Sequence, residues 1–317
     1  MNPILIEYDA NITCIDTMYL HPGHAACYLL VENGRAAFVD TGTGHTVPYL
    51  LETLKQKNLS IEDVEYVIPT HVHLDHAGGA GLLMSKLPNA ELVIHPRGAP
   101  HMINPEKLVT GATAVYGEEK FKQCFGEILP IDEKRVIIAE DNFELDFNGR
   151  DLKFIDTPGH ARHHFCVYDR TSESFFTGDT FGLSYKELDT NEGAFILPTS
   201  SPVQFEPDAW QKSLTRLLSY QPKNMYLTHF GRVTEIGRLA TQLREDINEY
   251  ASIAKSNMKE ENRQTKIAEG ITEFLQTRLR QFYPEDVISK HTEFLNADIN
   301  LNAAGLEVWA KRLEKAA

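Results

Sequence analysis

The sequence predicts an α/β fold: an αββα sandwich of two β-sheets flanked by helices, followed by a C-terminal helical appendage. Three features carry that expectation. Short apolar runs fall into two blocks, and each block holds an Asn-Gly pair between apolar flanks, Asn33-Gly34 and Asn148-Gly149, a strong short-range hairpin signal. Segments with helical spacing interleave with those runs. From about Thr234 onward the helical period takes over. A chain of 317 residues allows one large domain, or one domain and a small appendage, with a substantial core and no need of disulfides. The expected division is 1–233 for the sandwich domain and 234–317 for the helical region.

Along the chain, Ala26–Val31 and Ala36–Val39 form the first hairpin. Thr46 to Lys57 has apolar residues at Val47, Leu50, Leu51 and Leu54, which is helical spacing. Val64 to Thr70 is a strand, and Gly78-Gly79-Ala80-Gly81 opens a helix reaching Leu87. Small residues there allow close backbone approach. Glu91–Ile94 is a further strand. Residues 97–126 read as an insertion of short helices and loops, a candidate lid or a structural excursion. The second block runs through Phe143–Phe147, Leu152–Ile155, His164–Tyr168 and Phe175–Thr177, then a helix over 208–220 and a strand over 225–228. In the tail, Ile236, Leu239, Leu243, Ile247 and Tyr250 share a face, as do Ile267, Ile271, Leu275 and Leu279. Leu306, Trp309 and Leu313 suggest a last helix. Packing within the same chain is the default for this tail; dimerising and covering the active site are its other uses.

The segment His71-Val-His73-Leu-Asp75-His76 is the most informative stretch. Neutral imidazole and carboxylate are the side chains that bind zinc, iron or manganese. A strand ending in a tight loop can turn His71 and His73 to one side and Asp75 and His76 to the other, which suits two adjacent metal ions better than one. Further donors stand at strand ends: His160 after Thr157-Pro158-Gly159, Asp179 after Phe176-Thr177-Gly178, and His229 after Tyr226-Leu227-Thr228. A single histidine at a strand end is more often a satisfied core or surface group. Four strand ends each carrying a metal-type donor are not explained that way.

The ordered set Asp40-Thr41-Gly42, His71 to His76, His160, Asp179 and His229 resembles the pattern of the metallo-β-lactamase-fold metallohydrolases, over about residues 10–231. The resemblance implies two mixed β-sheets flanked by helices. It implies that His71, His73 and His160 bind one divalent metal, that Asp75, His76 and His229 bind a second, and that Asp179 bridges both. It also implies that Asp40 is no ligand but hydrogen-bonds a ligand imidazole, fixing its tautomer and orientation. Zinc is the leading candidate for both ions, with iron or manganese as alternatives. The implied activity is hydrolysis by a metal-bridging hydroxide, since a bound metal lowers the pKa of water from about 15.7 to about 7. Asp75 and Asp179 are then the catalytic carboxylates, and no Ser or Cys nucleophile is needed.

Within that superfamily the chain looks like a small-molecule hydrolase of an ester, thioester or lactone, similar to glyoxalase II and a related cytoplasmic subgroup. Quorum-quenching lactonases share the ligands and use a Tyr soon after the bridging Asp; here the third residue after Asp179 is Gly182 and the nearest Tyr is Tyr185. Class B β-lactamases of the commonest type use a Cys in the second site, and flavodiiron proteins a Glu where this chain has His73. Two readings from other classes stand beside the hydrolase. One is a mononuclear iron persulfide dioxygenase on His71, His160 and Asp179. The other is a non-catalytic di-iron oxygen-binding or sensing protein.

Lys and Arg number 31 against 45 Asp and Glu, a net charge of −14. Such a surface disfavours nucleic acid and anionic membranes as partners; a small-molecule substrate is expected, and a homodimer is one option for the chain. Met1–Asp9 has neither the basic nor the apolar part of a signal peptide, and no apolar run reaches membrane-spanning length. Cys14, Cys27, Cys124 and Cys166 lack metal or redox spacing and sit among apolar neighbours. Buried thiols in a reducing cytoplasm are expected.

Overall fold

Asn33 and Gly34 both take positive φ, 47° and 76°, and Asn148 and Gly149 repeat this at 52° and 91°. Asn and Gly tolerate the left-handed region that a two-residue hairpin demands, so both expected hairpins form. The structure is a computed structural model that describes residues 2–200 and 203–316, apart from the side chains of Val115, Tyr116 and Ala316.

The chain forms two compact units. The first comprises the residues up to Thr157, His163–Gly178 and Gln221–Thr234, and it carries both sheets. One sheet runs in sequence order through β1 (Leu5–Tyr8), β2 (Ile12–Asp16), β3 (Ala26–Glu32), β4 (Arg35–Val39), β5 (Val64–Ile68), β6 (Glu91–Ile94) and β7 (Val136–Ile138). It is antiparallel from β1 to β4 and parallel from β4 to β7. The other holds β8 (Glu144–Phe147), β9 (Arg150–Asp156), β10 (Phe165–Asp169), β11 (Ser174–Gly178), β12 (Asn224–Leu227) and β13 (Gly231–Val233). It is antiparallel except for the parallel pair β11–β12. Both sheets are mixed, as the fold expectation required.

The period of two in β3 and β4 sorts their side chains between two cores. Cys27, Leu29, Ala36 and Phe38 enter a core that includes Leu50 and Leu54 of α1 (Val47–Gln56) and Leu83 and Met84 of the short helix Ala80–Met84. Tyr28, Leu30, Ala37 and Val39 enter the core between the sheets, with Phe154, Phe165, Val167, Phe176 and Tyr226 of the second sheet. Strands buried on both faces read as continuous apolar runs, which is how Ala26–Val31 reads. Cys14, Cys27 and Cys166 are buried thiols, while Cys124 is half-buried.

The helix expected from Gly78 forms over Ala80–Met84, ending short of Leu87, and a second helix precedes it. A one-turn helix, α2 (Leu74–Ala77), lies inside the histidine segment, and α3 is the Ala80–Met84 helix already placed against the first sheet. Residues 97–126 fold into α4 (Ala99–Ile103), α5 (Glu106–Tyr116) and α6 (Glu118–Phe125). Phe121 and Phe125 of α6 pack with Leu74 of α2, so the insertion is anchored on the histidine loop itself.

The second unit gathers Pro158–Arg162, Asp179–Tyr220 and the chain from Glu235 onward. Its helices are α7 (Pro207–Ser219), α8 (Ile236–Ser256), α9 (Arg263–Leu279), α10 (Glu285–Phe294) and α11 (Asn296–Ala316). A buried ion pair joins Asp246 of α8 to Arg278 of α9, and the Arg278 guanidinium lies over the Phe195 ring at 4.3 Å. Among the described residues no helix is long and apolar enough to cross a membrane.

Candidate metal centre

Parallel neighbours end at the same edge of a sheet, and this builds the first part of the site. β4 and β5 are parallel with Val39 opposite Ile68, so Asp40 and Thr70-His71 leave the sheet side by side. Asp40 is 1% exposed and has φ +57°, a region Asp tolerates better than most residues. Its carboxylate accepts from the Thr70 amide (2.7 Å), the Thr70 hydroxyl (3.0 Å), the Thr228 hydroxyl (2.6 Å) and His76 Nδ1 (3.0 Å). Asp40 thus holds a candidate ligand imidazole. Thr41 completes the clamp: its amide and hydroxyl donate to the His76 carbonyl at 2.7 and 2.9 Å. The turn after α2 fits tightly here. A Cβ on Gly79 would lie 2.7 Å from the Thr43 carbonyl oxygen, so this close approach requires glycine.

His73 caps α2, which places Asp75 and His76 on one helical turn. β12 delivers Thr228-His229, and Asp75, His76 and His229 come together with one donor atom each, all within 4.8 Å of one another. His229 Nε2 lies 3.3 Å from Asp75 Oδ2. His76 and His229 are buried, while Asp75 is partly exposed. On the other side of the loop His71 Nε2 and His73 Nδ1 approach to 2.9 Å.

The remaining two donors belong to the second unit. Asp179 directly follows β11, and its Oδ2 lies 3.4 Å from His160 Nε2. Both are buried. The turn before His160 presses on α7: a Cβ on Gly159, at φ +144°, would lie 2.4 Å from Trp210 Cβ.

Four imidazoles share one arrangement. His71 Nδ1 faces the Thr70 hydroxyl at 3.2 Å, whose proton goes to Asp40. His76 Nδ1 faces Asp40, His160 Nδ1 the Thr199 carbonyl at 2.9 Å, and His229 Nδ1 the His24 carbonyl at 2.7 Å. These partners accept, so Nδ1 carries the proton and Nε2 keeps its lone pair for a cation. The donor set is nitrogen and carboxylate oxygen with no thiolate, which fits divalent zinc, iron or manganese.

Histidines outside the motif also gather here. His164 stacks on His71 with ring centroids 4.7 Å apart, its Nδ1 2.9 Å from the Thr157 hydroxyl. His163 sits edge-on to His73 at 5.5 Å, and His24 edge-on to His229 at 5.3 Å. His95 instead pairs with Asp156 at 3.0 Å, a structural contact. Sequence reasoning missed Thr70, Thr228 and the carbonyls of His24 and Thr199. The two threonines left a readable trace, because the dipeptide Thr-His recurs at strand ends as Thr70-His71 and Thr228-His229. The carbonyls left none.

Comparison with known proteins bears on this arrangement. ST1585 of Sulfurisphaera tokodaii, a metallo-beta-lactamase fold-containing protein, is 25% identical over 217 residues, covering 67% of this chain and 75% of that protein. Its crystal structure aligns with TM-score 0.63 at 22% identity, covering 94% of this chain and 99% of that one. The metallo-beta-lactamase family protein TTHA1429 of Thermus thermophilus aligns with TM-score 0.64 at 19% identity, covering 98% and 92%. An N-acyl homoserine lactonase of Bacillus thuringiensis is 25% identical over 233 residues, covering 66% of this chain and 81% of that enzyme. These likenesses bear out the αββα class with C-terminal helices. A model of the metallo-beta-lactamase superfamily matches residues 21–229, a span that begins before Asp40 and ends on His229, and the chain therefore belongs to that superfamily.

Proposed function

We propose that this protein is a binuclear metal-dependent hydrolase of a small-molecule ester, thioester or lactone. One observation carries the reading: Asp75, His76 and His229 converge as a donor triad separate from the His71–His73 pair, and a mononuclear enzyme has no use for the triad. In this reading His71, His73 and His160 would hold one ion and Asp75, His76 and His229 the other, with Asp179 as the carboxylate that would serve both. Zinc is the proposed metal at both positions. Bound divalent ions would supply a water acidified to a pKa of about 7 and an electrophile for the substrate carbonyl.

The chain's own groups do the rest. Asp40, Thr70 and the His24 and Thr199 carbonyls hold the imidazoles in the tautomer that binds cations. Asp75 has a quarter of its side chain exposed, so its carboxylate can meet a substrate and take a proton from the attacking water. The lactonase relative supports the ester and lactone part of the range. The Tyr185 hydroxyl donates to Asp298 at 3.0 Å.

The test begins with metal analysis of protein purified without added metal or chelator. Two divalent ions per chain are expected, with hydrolysis of a thioester, lactone or ester panel lost on chelation and restored by the same metal. Asp75→Asn should lower turnover by at least about 100-fold, the scale of a positioned proton acceptor. A single iron per chain with oxygen consumption would overturn the hydrolase reading in favour of the persulfide dioxygenase.

A further inference from the structure

The second unit contains a buried polar side chain that the proposed chemistry does not use directly. Asn302 lies on α11 and is 4% exposed. Asn is a poor helix former, and a buried amide is costly unless it is hydrogen-bonded. Its Oδ1 accepts from the Ser200 amide at 2.5 Å, the Ser200 hydroxyl lies 3.1 Å from the same oxygen, and Nδ2 donates to the Pro198 carbonyl at 3.4 Å. The Ser200 amide belongs to the same peptide group as the Thr199 carbonyl, and that carbonyl accepts from His160 Nδ1. One planar peptide thus stands between Asn302 and His160.

We propose that Asn302 is a positioning residue for His160, acting through the Thr199–Ser200 peptide. The inference rests on His160 being a metal ligand in the hydrolase reading. A trans peptide is rigid, so fixing its N–H end fixes the direction of its carbonyl. Hydrogen bonds at the two ends of an amide also polarise each other, so the Asn302 acceptor strengthens the carbonyl as an acceptor for His160. Release of the N–H end frees the plane to rotate, and the His160 ring loses the bond that sets its tautomer and angle. The same helix holds a second point one turn earlier, where Asp298 accepts from Tyr185, six residues after Asp179. In this account α11 sets the geometry of the ligand segments in its own unit.

The experiment compares wild type, Asn302→Leu, Asn302→Asp and His160→Ala as full-length, zinc-loaded protein. Zinc release into a chromophoric chelator is followed in time, alongside the thermal midpoint of each protein. Loss of a partner that orients a ligand costs about 10–100-fold in metal affinity. Asn302→Leu keeps the branched shape and removes the acceptor, so one of two zinc ions should leave about tenfold faster while the other leaves at the wild-type rate. His160→Ala identifies the affected phase. Asn302→Asp keeps the acceptor and should release zinc as wild type does. Should Asn302→Leu fail to fold, Asn302→Ala carries the comparison. The inference is overturned if both ions leave at wild-type rates, if both accelerate together in step with a lower midpoint, or if Asn302→Asp releases as fast as Asn302→Leu. The hydrolase reading fails separately, and takes the inference with it, if wild type binds fewer than two zinc ions or if His160→Ala changes neither phase.

Discussion

Asp40 shows how much one residue can organise. It is a buried carboxylate surrounded by donors from three segments: Thr70, His76 and Thr228. Replacing it with Asn keeps the shape but points an NH2 at groups that are themselves donors. Breaking such a network costs about 3–5 kcal/mol when it strands a buried charge or polar set. Asp40→Asn should therefore lower the denaturation midpoint and weaken metal binding by about 10–100-fold, most of all at the His76 set. Metal titration of the variant checks this, and unchanged affinity would remove the orienting role. At this scale the sequence was informative about donors and poor about their partners. Side-chain type marks a ligand, whereas a backbone carbonyl such as that of His24 or Thr199 has no residue code.

At the scale of elements, the short helix α2 converts a linear motif into a three-dimensional one. Its single turn gathers the donor atoms of Asp75 and His76 into a set of their own with His229, although the His71 and His76 rings lie 4.0 Å apart; an extended loop up to Gly78 would not have done so. A capping residue with extended backbone, His73 at φ −62° and ψ 147°, begins the helix without any standard capping signal in the sequence. The insertion over 97–126 is tied to the same turn through Phe121, Phe125 and Leu74. Phe125→Ala should cost about 3 kcal/mol and raise hydrogen exchange both in α6 and in residues 71–77. Exchange rising in α6 alone would mean that the insertion merely decorates the loop. β7 and β13, three residues each, were missed for a plain reason: a period of two cannot be read from so few positions. Helix α10 was missed as well, its single buried residue being Ile288.

At the scale of the whole chain, the buried Asp246–Arg278 pair gives a pH signature. Burial pushes the Asp246 carboxyl up to about 7, with Arg278 opposing. Unfolded, the group titrates near about 3.9. Between those values the folded chain holds a proton that the unfolded chain has lost. Its contribution is then complete below about pH 4 and is lost as pH rises through about 7. Wild type should therefore lose stability relative to Asp246→Asn between about pH 4 and pH 7 in denaturant melts. A difference that is flat or rising over that window would sink the assignment.

The residues alone determined the class of fold and the chemistry of the donors. Hairpin turns, strand runs and helical faces are local, and each Asn-Gly pair, apolar alternation or His-rich loop carries its own physical signature in a few adjacent positions. The tertiary structure decided what locality cannot hold: that Thr228 and Thr70 meet on one Asp40 carboxylate, that Phe125 rests on Leu74, and that Asn302 reaches the peptide behind His160. Those partners lie 188, 51 and 102 residues apart in the pairs Asp40–Thr228, Leu74–Phe125 and Ser200–Asn302. Hydrogen bonds and packing depend on distance in space, and only the folded chain brings such positions within reach.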